Sequence, residues 1–212
     1  MVTATRRERQ RREVRQGILD AARAIAGQDG WQMVTIRRIA DRIEYSPPVI
    51  YEHFAGKDAI LLELVREGFR RLLGDLETAR AEAAGPDDAL RGLALAYWRF
   101  AWDAPDLYQV MYGLGGVPFD VAATWEEGWR IGRAAMPVVA AIHPAGDPPP
   151  DAAEVEARVL AFWASLHGLV ALSMAGRIAG GRNGAIGLVE RAACDAVAAW
   201  AGRRPAIHGG TP

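Results

Sequence analysis

Thr35, Ser46, Tyr51, His53 and Lys57 place hydroxyl, phenol, imidazole and ammonium donors at short intervals in one stretch, TIRRIADRIEYSPPVIYEHFAGK. Donors of this kind, with arginines before and among them, suit an anion drawn out along a line, as the phosphates of a duplex are. They suit catalysis poorly. The four histidines, His53, His143, His167 and His208, form no HxxxH or HExxH pair, and the one cysteine, Cys194, cannot build a metal cluster. Cys194 lies in an Ala-rich segment and reads as a buried, inert thiol. Ser165 and His167 stand two apart, so on a helix they point to different faces. Gly113-Leu114-Gly115-Gly116 lacks the Lys-Ser/Thr ending of a phosphate loop and follows no strand. No enzyme activity, cofactor or metal is expected.

The donors need a scaffold, and the apolar residues between them supply one. Thr35 is a good N-cap, and Ile36, Ile39, Ala40 and Ile43 recur at helical spacing behind it. Ser46 is a second N-cap, and Pro47 follows at the first helical position, where its missing N–H costs nothing. Ile50 and Phe54 share one face of this second helix and pack on the first. Pro48, Val49, Glu52 and His53 fall away from that face. Two short helices joined by a tight turn make a helix-turn-helix, whose second helix presents its N-terminal residues to base edges in the major groove.

With Thr35, Ile36, Ile39, Ala40, Ser46, Ile50, Tyr51, His53, Phe54 and Lys57 in register, the stretch resembles the DNA-binding domain of the TetR family of repressors. That family's pattern is roughly T-[IV]-x-x-I-A-x-x-A-G-V-S-x-x-x-[LIV]-Y-x-[HY]-F-x-x-K. The resemblance implies phosphate contacts from Thr35, Tyr51 and Lys57, base-edge proximity for Pro48, Val49 and His53, and a place at the DNA for Ser46. Packing of the Tyr51 ring between helices, and capping or packing by His53, stay open as alternatives. The turn departs from the pattern: Ile43-Glu44-Tyr45 stands where Ala-Gly-Val is usual. Glu44 therefore occupies a position where Gly would supply a left-handed backbone without strain.

Ahead of this unit, Arg6, Arg7, Arg9, Arg11, Arg12 and Arg15 form a basic arm, with Arg11 and Arg12 the expected DNA contacts and a solvated tail the alternative. An amphipathic helix follows from Ile18. Residues 1–57 hold 11 Lys+Arg against 7 Asp+Glu, and the remainder 14 against 19. The overall charge of −1 thus conceals a basic head on an acidic body, as a chain that meets DNA at one end should show.

From Asp58 the chain reads as helix after helix: 58–84, 87–102, 105–112, 120–142, 151–178 and 184–201. The expected fold is all-α with about nine helices. A head of three helices (1–57) precedes a ligand-binding and dimerisation body of six (58–203), with a disordered tail over 204–212. Pro105 to Gly113 and Trp163-Ala-Ser-Leu-His167-Gly168 resemble a C-terminal domain found in part of the TetR family and named for its Trp-His-Gly signature. That resemblance implies a sensing, dimerising body, with the helix from Asp58 as the lever between body and head. Trp98 and Trp102 are four apart, as are Trp125 and Trp129, so each pair shares a helix face. With Tyr108, Met111, Trp163 and His167 they form the candidate lining of an apolar effector site, the alternative being ordinary core packing.

Val159, Phe162, Leu166 and Val170 make a stripe on one late helix, and Leu188, Ala192 and Ala196 lie on the next. Two such helices per subunit could form a four-helix homodimer interface, or pack within one subunit. No apolar run reaches the ~18 residues of a membrane span, and no apolar segment follows the basic N-terminus. With one cysteine, these features predict a cytoplasmic protein. The function they support is a ligand-responsive repressor on a palindromic operator. A helical interaction protein without DNA binding is the alternative from another class.

Overall fold

The computed structural model describes residues 6–114, 116–117 and 122–202. The expected tail, 204–212, lies outside them. Among the described residues there are nine α-helices and two short 3-10 turns, with no strand. The helices are α1 (Arg6–Asp29), α2 (Ile36–Arg42), α3 (Pro47–His53), α4 (Lys57–Glu82), α5 (Pro86–Asp103), α6 (Pro105–Met111), α7 (Trp125–Ala140), α8 (Ala152–Met174) and α9 (Gly181–Trp200).

By packing, the chain divides into two compact units. The first holds Met1–Phe69 with Ala104–Trp125, and the second Arg70–Asp103 with Glu126–Pro212. This cut differs from the functional boundary at 57/58 read from the sequence. α4 contributes its residues up to Phe69 to the first unit and the rest to the second.

In the first unit, α1 buries Ile18, Leu19, Ala22, Ile25 and Ala26 on one face. Ile39 and Ala40 of α2, Ile50 of α3, Phe54, and Ile60 and Leu64 of α4 complete the core beneath the helix-turn-helix. α6 closes it with Leu107, Tyr108 and Met111, all fully buried. The Trp31 indole N–H donates to the Asp106 carbonyl at 3.2 Å. Arg23 spans the same interior, with its guanidinium 2.6 Å from Asp106 and 3.2 Å from Glu67. Burial opposes its charge, but the Asp106 hydrogen bond and the fields of Asp106, Glu67 and Asp20 outweigh that, so its pKa is raised.

In the second unit, α5, α8 and α9 pack on one another. Their core is Leu90, Leu93, Ala94, Tyr97 and Trp98 of α5, Val155, Val159, Leu166 and Val170 of α8, and Ala185, Val189, Ala193 and Val197 of α9. Small residues at Ala185 and Ala193 let α9 approach closely. Asp151 caps α8 by accepting from the Glu154 amide at 2.8 Å.

Several expectations need correction. The basic arm is the first three turns of α1, so Arg6 to Arg15 are helical. α7 begins at Trp125, not Asp120; a 3-10 turn over Ala122–Thr124 precedes it, and residues 118–121 lie outside those described. α8 stops at Met174 because Gly176 takes a left-handed φ of 68°. Its N–H and that of Arg177 then bond back to Ser173 and Leu172 at 3.0 and 2.8 Å, a Schellman ending. α8 is also long and apolar enough, by length and composition alone, to cross a membrane, with a mean hydropathy of 1.4. This helix exceeds the run length expected from the sequence. Cys194 is exposed, since the buried face of α9 runs through Val189, Ala193 and Val197 instead.

Candidate functional site

The helix-turn-helix is built as its cap residues require. The Thr35 hydroxyl accepts from the Arg38 amide at 3.2 Å and starts α2. Glu44 ends it with φ 59°. The Tyr45 N–H returns to the Ala40 carbonyl at 3.0 Å and the Glu44 N–H to Asp41 at 3.4 Å. This Schellman turn aims α3 away from α2. Ser46 stands at the N-cap with an extended backbone, its hydroxyl making no cap bond, and Pro47 opens α3.

The outward surface carries most of the residues proposed for DNA. Thr35, Ser46, Pro48 and Tyr51 are exposed, the Tyr51 ring to 57%. Val49 and Lys57 are half-buried, and the Lys57 ammonium donates to the Trp31 carbonyl at 3.4 Å. His53 turns inward: its Nδ1 is buried without a hydrogen-bond partner among the described residues. Arg11 and Arg12 lie exposed on α1.

Sequence reasoning missed two residues on this surface. Arg37 is exposed with no partner among the described residues, and Tyr45 is 43% exposed. A helical wheel puts Arg37 nearly opposite the buried Ile39; the exposure of Tyr45 depends on the turn. Other basic residues of the head are structural. Arg15 lies 4.2 Å over the Phe54 ring, donates to the His53 carbonyl at 3.3 Å and pairs with Glu63 at 3.0 Å. Arg38 pairs with Asp29 and donates to the Met33 carbonyl at 3.3 Å, while Arg42 holds Gln28 at 3.0 Å.

The second unit holds an apolar crevice. Leu76, Leu90, Leu93, Tyr97, Ile131, Gly132, Ala135, Val139, Val159, Phe162, Trp163 and Leu166 line it, and its volume is about 40 Å³. None of these residues is charged. Its polar end is the Tyr97 hydroxyl, which accepts from the Trp163 indole at 3.1 Å and lies 3.5 Å from His167 Nδ1. Burial lowers the His167 pKa, so its ring is neutral at pH 7 and Nδ1 can accept the tyrosine proton.

The eight aromatic and methionine residues named from the sequence are not one cluster. Trp163 lines the crevice and His167 adjoins it through Tyr97. Trp98 is buried beside Trp102, ring centres 5.8 Å apart, and both indole N–H groups are buried without a partner among the described residues. Trp129 packs over Gly132, its ring 3.6 Å from where a Cβ would stand. Tyr108 and Met111 belong to the core of the first unit, and Trp125 is 65% exposed; these three do not join the crevice.

The interface stripe needs similar revision. Val159, Leu166 and Val170 are buried in the second unit's own core and have no surface to offer a partner. Phe162 is half-buried and stacks edge-on with Trp200 at 6.0 Å. Ala192 and Ala196 are half-buried, and Leu188 is exposed. The apolar surface that α8 leaves open is Ala157, Leu160, Ala161, Ala164 and Leu172, with Leu160 58% and Leu172 51% exposed. Ile186 adds to it on α9.

Comparison with known proteins finds two family matches along the chain. Residues 18–64 match the family model for bacterial regulatory proteins of the tetR family, and residues 90–185 that for a tetracyclin repressor-like C-terminal domain. The uncharacterized HTH-type transcriptional regulator Rv0681 of Mycobacterium tuberculosis is 30% identical over 169 residues, covering 76% of this chain and 71% of that one. The uncharacterized HTH-type transcriptional regulator YobS of Bacillus subtilis is 35% identical over 92 residues, 43% of this chain. That match spans about half, 48%, of the YobS chain. A solved structure of a protein with unknown function from Rhodococcus sp. RHA1 superposes with a TM-score of 0.75 at 26% identity, covering 89% of this chain and 95% of that one.

Proposed function

Because this chain belongs to the TetR family of transcriptional regulators, we propose that it is a repressor that holds a palindromic operator as a homodimer and releases it on binding a small, uncharged, apolar effector. The observation that carries the reading is the outward surface of the helix-turn-helix. Tyr51 on α3 is more than half exposed, Thr35, Arg37, Ser46 and Pro48 are exposed with it, and Ile39, Ala40 and Ile50 of the same helices are fully buried. Exposing Tyr51 has no benefit for folding, but its ring and hydroxyl fit a phosphate-lined groove wall.

One head reads a short half-site, and pairing through the open apolar strip of α8 with α9 gives two heads for a palindrome. The strip is built of alanines with leucines between them, which allows close helix approach. The effector reading rests on the crevice of the second unit. With no charged residue in its lining, it offers a charged ligand no compensation for lost water. Tyr97 supplies one hydrogen-bonding point. The effector can move the operator equilibrium only by its differential affinity for the two states. Catalysis has no place in this account.

Fluorescence anisotropy of the full chain against DNA from upstream of its own coding sequence, with a scrambled duplex beside it, tests the reading. The expected result is tight binding to the upstream DNA with a steep salt dependence, weakened by Tyr51→Ala. Absence of binding to either duplex at low salt overturns it and leaves a helical interaction protein.

A further inference from the structure

A groove of about 680 Å³ lies in the first unit beside the helix-turn-helix. Arg6, Arg9, Gln10 and Glu13 of α1 form one wall, and Ile43 and Tyr45 of the turn form the other. Positions 6, 9, 10 and 13 share one helix face by their spacing. Arg11 and Arg12 fall on other faces of the helix.

Three observations identify what the groove takes. Its charge is the first: two guanidinium groups without a partner among the described residues, against the single carboxylate of Glu13. Gln10 and Tyr45 add neutral donors. The second is that residues Arg6–Glu13 are all exposed. This stretch buries nothing and is helical only by propagation from the packed half of α1 behind it. Arginines in the first turns also oppose the positive end of the helix dipole. A polyanion laid beside this face would offset both. The third is continuity: Tyr45 immediately precedes Ser46, the N-cap of α3, so the groove extends the DNA-facing surface.

We propose that this groove holds the DNA backbone flanking the half-site, with Arg6 and Arg9 on phosphates and the Tyr45 hydroxyl as a third donor. The inference rests on the DNA-binding reading above and moves the main α1 contacts from Arg11 and Arg12 to this face. Phosphates carry no sequence, so the groove adds affinity and register while leaving base preference unchanged. Tyr45 stands where the family pattern has valine, so the contact is particular to this turn.

The test is the salt dependence of binding to a mixed-sequence duplex and to the upstream DNA, for the full chain and for Arg6→Ala/Arg9→Ala. Each lost phosphate contact lowers the slope of log affinity against log salt by about 0.9, so each head loses about 1.8. For a dimer with both heads engaged the slope falls by about 3.6, so between about 50 and 200 mM salt the variant should lose roughly 100-fold less affinity than the parent. Tyr45→Phe should weaken binding evenly at every salt without changing the slope. Hydrogen exchange over residues 6–13 should slow when DNA is added. An unchanged slope in the double variant, with no protection of α1, overturns the groove while the regulator reading stands. A parent protein that binds neither duplex at low salt takes both down.

Discussion

Glu44→Gly should stabilise the protein, because the turn holds Glu44 where an L-residue is strained. It is the one non-glycine with positive φ among the described residues, at 59°. The strain is held by the bonds of Tyr45 to Ala40 and of Glu44 to Asp41, which close α2. The side chain is exposed and makes no hydrogen bond or ion pair among the described residues, so its removal costs no contact. A left-handed backbone costs an L-residue roughly 1–2 kcal/mol. Glycine returns about 0.4–1 kcal/mol of that as extra freedom in the unfolded chain. The balance is a gain of about 0.5–1 kcal/mol, or roughly 1–4 °C in Tm for a chain of this size. Glu44→Gln separates the two changes, since it removes the charge and keeps the strain. Urea unfolding of the three proteins should place Gly above the parent and Gln level with it. Both should bind DNA more tightly by a similar factor, since both remove a negative charge beside phosphates. A glutamine variant as stable as the glycine one, or a glycine variant below the parent, would refute the strain argument.

Asp106→Ala should cost about 1.5–3 kcal/mol in urea unfolding, because it removes the nearer of the two carboxylates that hold Arg23, whose guanidinium keeps Glu67 at 3.2 Å. For His167, the folded pKa lies below the unfolded value of 6.5, so the unfolded chain takes the proton first. The associated stability is present above pH 6.5 and is lost as pH falls through the folded pKa; Tm measured against pH should show this loss, and His167→Gln should remove that part of it. Leu160→Glu places a charge on the open face of α8 without touching the core, and size exclusion should show a dimer for the parent and a folded monomer for the variant.

Where one residue's chemistry decides an outcome locally, the chain was readable in advance. Thr35 caps the helix it precedes, and Pro47 opens α3. Glu44 adopts the left-handed backbone that its place in the turn demands. The helix count followed from apolar spacing interrupted by Gly and Pro. α1 was harder. Its first turns have no apolar residue before Val14, so periodicity says nothing about them, and the helix continues there by propagation from a well-packed C-terminal half.

Choices that depend on partners in space were not readable. An apolar helix such as α8 has candidates for burial on every side, with Leu160 and Leu172 looking as suitable as Val159 and Leu166. Only the positions of α5 and α9 decide which pair is covered. The same holds for the aromatic set: i, i+4 spacing puts Trp125 and Trp129 on one face, yet one ends in solvent and the other over Gly132. Arg15 counted as one more charge in a basic arm until His53, Phe54 and Glu63 were seen around it.

The crevice carries a consequence for how an effector would work. At about 40 Å³ it is far below the roughly 300–1,000 Å³ of sites that enclose drug-sized ligands. An effector of that size must therefore bind a wider form, in which the lining has separated around Tyr97 and Trp163. If the narrow form is the one that fits the operator, the effector discriminates between the forms almost completely, because the narrow one has no room for it. Full switching from 1:99 to 99:1 requires about 10⁴-fold preference, or about 5.5 kcal/mol. Steric exclusion can reach that value where small differences in contact cannot. Gly132 is the position to probe it. A Cβ there would stand 3.6 Å from the Trp129 ring and 3.7 Å from Val159, ordinary contact distances, so Gly132→Ala is tolerated in the narrow form. It takes space from the wider one. The variant should hold its operator with unchanged affinity and require more effector for release; release at the parent's effector concentration would show that the crevice is not where the effector binds.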